Sequence, residues 1–180
     1  MLVRCLSVLA LLVWTAVPCS AETLKLNKEK SKIEFVGKKT DGSHKGGFKE
    51  FSTEATADTD APDKSSIKLE IDAESLWSDD EKLTAHLKNP DFFNVRKYPK
   101  ITFESTKITV DGDESATIVG KLTLLDQTSE IKVPCKVSLS DTSITIDADF
   151  KIDRTKFGMS YGKGKINDEV EVSAVLVFAR

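Results

Sequence analysis

The chain has 180 residues, with 26 Lys+Arg against 29 Asp+Glu and a hydrophobic fraction of 39%. A charged fraction of 31% beside that apolar content fits a folded domain and excludes a disordered or fibrous chain. A formal net charge of −3 leaves no basic footprint for a nucleic-acid partner, and the length fits one domain.

The first segment reads as an address. Arg4 precedes the almost wholly apolar run Leu6–Val17, Pro18 breaks it, and Cys19-Ser20-Ala21 supplies the small residues of a cleavage site. That run is well short of the ~20 apolar residues a bilayer span needs. Residues 1-21 are therefore expected to be a secretory signal peptide cut after Ala21, leaving a domain over 22-180 that is periplasmic or secreted, with no stable membrane span. Cys5 and Cys19 leave with the peptide, so Cys135 stands alone and no internal disulfide can form. Stability then rests on a hydrophobic core, which a domain of this size can build.

The mature chain is dominated by a period of two. Ile33 and Phe35, Ile67 to Ile71, Ile101 and Phe103, Ile118 to Leu124, Ile131 to Leu139, Ile144 to Ile152 and Val170 to Ala174 all alternate, Val175 to Phe178 runs apolar on both faces, and a further strand is expected near Phe48 to Ala57. Thr40-Asp41-Gly42-Ser43, Asp60-Ala61-Pro62-Asp63, Asp111-Gly112-Asp113-Glu114 and Ser140-Asp141-Thr142-Ser143 carry turn chemistry. About eight strands joined by short links imply an antiparallel up-and-down order, closed as a barrel or folded as a two-sheet sandwich. One segment departs from the pattern. Ser78-Asp79-Asp80-Glu81 reads as a capping box with Ser78 at the N-cap, Leu83 and Leu87 share a helical face, and Asn89-Pro90 stops the helix. A short helix is thus expected between the third and fourth strands, covering one end.

Residues that carry chemistry are few. No nucleophile elbow, zinc-protease helix, cysteine pair or phosphate loop is present, and Gly162-Lys163-Gly164-Lys165 reads as a hairpin loop. Cys135, in an alternating run, reads as a small buried hydrophobe. The two histidines, His44 and His86, lie too far apart in sequence to suggest a metal site, and no cofactor is implied. His86 sits between Leu83 and Leu87 and is either a packed helix residue or a polar group at a barrel mouth. Arg154 follows a clean strand, and is either a surface residue or a forked donor for an anionic head group.

The stretch Leu87-Lys88-Asn89-Pro90-Asp91-Phe92-Phe93-Asn94-Val95-Arg96-Lys97-Tyr98-Pro99-Lys100-Ile101-Thr102-Phe103-Glu104-Ser105-Thr106 resembles the hallmark of the YceI-like family. Val119-Gly120-Lys121-Leu122-Thr123-Leu124 and Ile152-Asp153-Arg154-Thr155-Lys156-Phe157-Gly158-Met159 resemble two further motifs of that family, in the right order. Leu83 and Thr84 stand where the family often has Arg-Asp. The resemblance implies an eight-stranded antiparallel lipocalin-like barrel, export to the bacterial periplasm, and polyisoprenoid or similar lipid as ligand.

The expected function is non-catalytic binding, transport or storage of an isoprenoid or fatty-acid-like lipid in the barrel lumen. Phe35, Leu69, Phe93, Phe103, Leu122 and Phe150 are the expected lumen residues, with His44, His86 and Arg154 as polar groups near a mouth. Two alternatives come from other classes: a hydrolase using His86 with a carboxylate such as Asp91, and a cavity-less interaction module, with homodimerisation left open.

Overall fold

The computed structural model describes residues 21–58, 60–112 and 114–180, so the signal-peptide expectation lies outside the described residues. The elements are β1 (Glu22–Leu26), β2 (Lys32–Lys39), β3 (Gly42–Phe48), β4 (Phe51–Ala57), β5 (Ser66–Asp72), β6 (Leu76–Ser78), α1 (Glu81–Leu87), β7 (Lys100–Val110), β8 (Ser115–Leu124), β9 (Gln127–Leu139), β10 (Ser143–Asp153) and β11 (Glu169–Ala179). Three long strands are each broken once, so that β1 continues as β2, β3 as β4 and β5 as β6. The segments therefore form eight antiparallel staves in chain order. The last stave returns to the first: Val172 of β11 pairs with Phe35 of β2, and Phe178 with Leu26 of β1. The sheet is closed, which decides for the barrel over the sandwich and removes its edges.

Alternation decides which side of each strand is dry. Along the β10–β11 ladder, Ile144 faces Phe178, Ile146 faces Leu176, Ala148 faces Ala174, Phe150 faces Val172 and Ile152 faces Val170. Those pairs share the inner face, while Thr145, Asp147, Asp149 and Lys151 occupy the outer one. The β8–β9 hairpin turns in two residues, with Leu125 at φ 54° and Asp126 at φ 58°. That mirror-image turn matches the strand twist and usually recruits Asn-Gly or Asp-Gly.

Three expectations are corrected in the first half of the barrel. The strand expected from Phe48 to Ala57 is split at Lys49 and Glu50, whose backbones hydrogen-bond across to Ser75 and Asp72. Gly42 and Ser43, expected in a turn, instead open the full strand β3, which pairs from Gly42–Lys39 to Phe48–Ile33. The helix is also capped differently. Ser78 is committed to β6, where it pairs with Gly46, so the N-cap falls to Asp80, whose Oδ1 accepts the Leu83 N–H at 2.7 Å. The Ser78 hydroxyl instead donates to the Asp80 carbonyl at 2.8 Å and meets the Thr84 hydroxyl at 2.9 Å. The helix is accordingly the shorter span Glu81–Leu87.

The two barrel ends carry different furniture. At one end lie α1 with the turns after it, the β2–β3 hairpin, the β8–β9 turn and the long β10–β11 loop. At the other lie the described N-terminus, the β4–β5, β7–β8 and β9–β10 links and the C-terminus. Leu24, Ala55, Ala116, Cys135, Ile144 and Phe178 pack the interior at that second end, and Phe178 has no exposed surface.

Candidate functional site

Towards the α1 end the interior is hollow. A cavity of about 320 Å³ runs between the staves, lined mainly by Ile, Leu, Val and Phe side chains. Phe35, Leu69, Phe93, Phe103, Leu122 and Phe150 all border it, as do His44 and Arg154. Of the expected binding residues, His86 is the one the fold places off the lining. Leu83 and Leu87 of α1, with Phe92 and Phe93 beyond it, form the cover. Phe93 closes a cluster with Phe35 and Phe48, with ring centroids 6.1 and 5.7 Å away and the Phe48 ring edge-on to it.

Two glycines keep this space open. Gly46 lies opposite Phe35 across β2 and β3, and a Cβ there would stand 2.5 Å from the tip of the Phe35 ring. On β8, a Cβ at Gly120 would stand 2.4 Å from the tip of Phe103. Each ring therefore lies flat against the wall over a missing side chain instead of projecting across the lumen. Neither glycine was singled out for this role. The signal was present, since a glycine inside an alternating strand marks a close approach, but its partner ring is fixed by register.

The mouth is built from the β2–β3 hairpin. Gly37 pairs with His44, and nothing lies within 4 Å of where a Gly37 Cβ would be, so there is free space beside the strand there. His44 Nδ1 is 2.9 Å from Asp79 Oδ1, and the other Asp79 oxygen accepts the Lys45 N–H at 3.0 Å. Those two bonds, the backbone one first, hold the Asp79 carboxyl below the usual aspartate range. An ionised carboxylate at Nδ1 requires the proton on Nδ1, so in the neutral ring Nε2 is an acceptor. Asp79 thus fastens the start of the α1 cover to β3, a link that joins residues 35 positions apart and was invisible in the sequence.

Arg154 is neither a surface residue nor a free donor. It is 3% exposed, and its guanidinium is used up on the β10–β11 loop. Nε donates to the Asn167 carbonyl at 2.9 Å, and Nη1 to the carbonyls of Met159 and Tyr161 at 2.8 and 2.9 Å. Nη2 reaches the Ile166 carbonyl at 3.2 Å and Asp168 Oδ1 at 3.4 Å. The planar fork has five N–H donors, so the head-group role expected of it finds its donors taken. Its geometry is that of a rivet holding the loop against the barrel end. Gly158, at φ 85°, makes the sharp exit from the Arg154–Phe157 turn that lets the loop come back.

His86 lies half-buried on α1, off the cavity lining. Its Nε2 is 2.9 Å from Asp91 Oδ2, and its ring stands edge-on to Phe92 and to Tyr161, with centroids 5.1 and 5.0 Å away. The fold does bring together the histidine and the carboxylate that the hydrolase alternative needs. No hydroxyl or thiol hydrogen-bonds to that ring among the described residues, so the pair is an orienting contact without a nucleophile. Cys135 is at the packed end, and burial pushes its thiol up to about 11, with the Asp111 charge adding to the effect. Among the described residues no cluster of three or more His, Cys, Asp or Glu is arranged to hold a metal ion.

Known proteins resemble this chain along most of its length. It is 35% identical over 142 residues to a UPF0312 protein of Pseudomonas aeruginosa strain LESB58, covering 76% of this chain and 74% of that protein. Against UPF0312 proteins of Pseudomonas putida the aligned part spans only 41% of the relative's length. The structure of Burkholderia cenocepacia BcnA superposes with a TM-score of 0.80 at 27% identity, over 85% of this chain and 99% of that one. A polyisoprenoid-binding domain from Saccharophagus degradans shares the fold, with a TM-score of 0.67 at 18% identity over 87% of this chain and 97% of that one. The YceI-like domain family matches residues 24–178, from the first strand to the last, and this chain belongs to it.

Proposed function

We propose that this protein binds an apolar lipid of isoprenoid type, without catalysis, in the hollow half of its barrel. The observation that carries the reading is the cavity itself: about 320 Å³ of apolar space inside a closed barrel, bordered by Gly37 and His44 on the β2–β3 hairpin. That volume is within the ordinary range of small-ligand sites, and each methylene buried in it contributes roughly 0.8 kcal/mol. The printed description of the Saccharophagus relative as polyisoprenoid-binding supports the same ligand class. Carriage or storage of that lipid outside the cytoplasm follows if residues 1–21 act as the export signal read from the sequence.

Native mass spectrometry of the gently purified protein tests the proposal. A co-purified lipid, or stoichiometric uptake of an added polyprenyl chain, is the expected result. Apo protein that takes up no long-chain lipid would sink it. The hydrolase alternative separates on one variant. His86→Ala should keep lipid affinity within about twofold, since its ring lies off the lining.

A further inference from the structure

Resting on the lipid reading, we infer that the cavity selects a chain with an uncharged, hydrogen-bond-donating head group, a long-chain alcohol in chemical class, over a diphosphate or a carboxylate. The charged side chains that border the cavity are Glu34, Lys38, Lys39 and Arg154, with His44 beside them. Each is already matched. Lys38 Nζ sits 2.6 Å from Glu171 and Lys39 Nζ 3.5 Å from Asp41. Glu34 lies 2.9 Å from Lys45 and 3.6 Å from Lys32, and the five donors of Arg154 are committed to its own loop. An anionic head group entering here would bring charge into an apolar space, or would have to pull a lysine from its carboxylate. The first is strongly disfavoured for an unpaired ion out of water, and the second gains little, because those lysines are solvent-exposed and would exchange one weak surface pair for another.

His44 supplies what an uncharged head group needs. Its Nδ1 proton is committed to Asp79, and its Nε2 has no partner among the described residues. It borders the cavity beside Gly37, the position with open space where a side chain would be. A hydroxyl arriving at that gap can donate to Nε2 while the apolar chain fills the lumen behind it. A phosphate or carboxylate offers no proton to that nitrogen and brings a second negative charge to a ring already held by the Asp79 carboxylate.

The test uses geranylgeraniol and geranylgeranyl diphosphate, probes that share one chain, titrated against the mature protein at low and at high salt. The alcohol should bind at least about tenfold more tightly than the diphosphate, with little salt dependence. His44→Phe, which keeps an aromatic ring at the mouth, should weaken the alcohol by about fivefold and leave the diphosphate nearly unchanged, the value of one hydrogen bond. A diphosphate that binds as tightly as the alcohol, with affinity falling as salt rises, overturns the inference while sustaining the lipid reading. Equal loss of both probes in the variant also overturns it, since that would reveal a steric effect. If neither probe binds, the lipid reading itself has failed and this inference with it.

Discussion

Ile144 and Ile152 lie on the same face of the same strand, yet they belong to different interiors. Ile144 pairs with Phe178 at the packed end, where Ala116 lies opposite Cys135 and Leu24 opposite Ala55, and small and large residues interlock. Ile152 pairs with Val170 at the hollow end, where the aromatic rings lie back on glycines and the far side is bounded by a helix and a loop. The packed end supplies the stability of a domain without a disulfide, and that leaves the other end free to stay unfilled. Interiors normally close-pack, so a persistent apolar void is a feature that the rest of the core must support.

The largest effect that separates the two ends is a ring deletion. Phe178→Ala removes a wholly buried ring from close packing and should destabilise by about 3–5 kcal/mol in urea unfolding. Phe150→Ala removes a half-buried ring already facing empty space, and its cost should be about 1–2 kcal/mol. Equal costs would mean that the lumen is as tightly filled as the packed end. The reverse substitution should keep the same order. Ala116→Leu overpacks the solid end and should cost about 1–3 kcal/mol, whereas Ala174→Leu projects into the cavity and should be near neutral in stability. The same Ala174→Leu variant should bind lipid more weakly, which equilibrium titration with a polyprenyl alcohol would detect.

This contrast also marks what the sequence could and could not reveal. Alternation showed the strands and that each has one dry and one wet face, because burial on one side is a local, period-two property. It could not separate hollow from solid, since Ile144–Ile152 alternates in the same way through both. The Asp80 cap was masked by the better-looking Ser78, whose backbone is taken by pairing with Gly46 of β3. Arg154 looked like a free charge because the carbonyls that absorb it come from residues up to 13 positions later, on a loop with no regular period. β1 was not anticipated at all, being five residues with only Leu24 buried.

Thiol chemistry compares the ends kinetically. Cys135 is buried, its Sγ 3.4 Å from the Ala116 carbonyl, and its thiol is pushed up to about 11. At about pH 8 only on the order of one part in a thousand is thiolate, so a disulfide reagent should modify it no faster than the packed end opens. A cysteine placed at Ala174, on a Cys135→Ala background, should react at least about tenfold faster with a small apolar maleimide and be protected by bound lipid. Cys135 reacting as quickly as the introduced thiol would contradict the packed reading of its end.

The smallest effect concerns how the hollow end is held shut. Asp79 links the α1 cover to β3 through the Lys45 N–H and His44, and those bonds lower its carboxyl below the ordinary aspartate range. A carboxyl depressed in the fold stabilises the folded state fully above its unfolded value, and the contribution is lost as pH falls through the folded value. Asp79→Asn keeps the size and removes the charge, so the wild type should melt slightly higher than the variant near neutrality. The two should converge in acid, below the ordinary aspartate range. Because the carboxyl is open to solvent, the effect on global stability should be small and partly screened by salt. Its clearer mark should be local: amides of residues 79–88 should exchange with solvent faster in Asp79→Asn, while those of β9 around Cys135 are unchanged. A difference spread evenly over both ends would mean that the cover and the packed core open together, and that the hollow end has no independent closure.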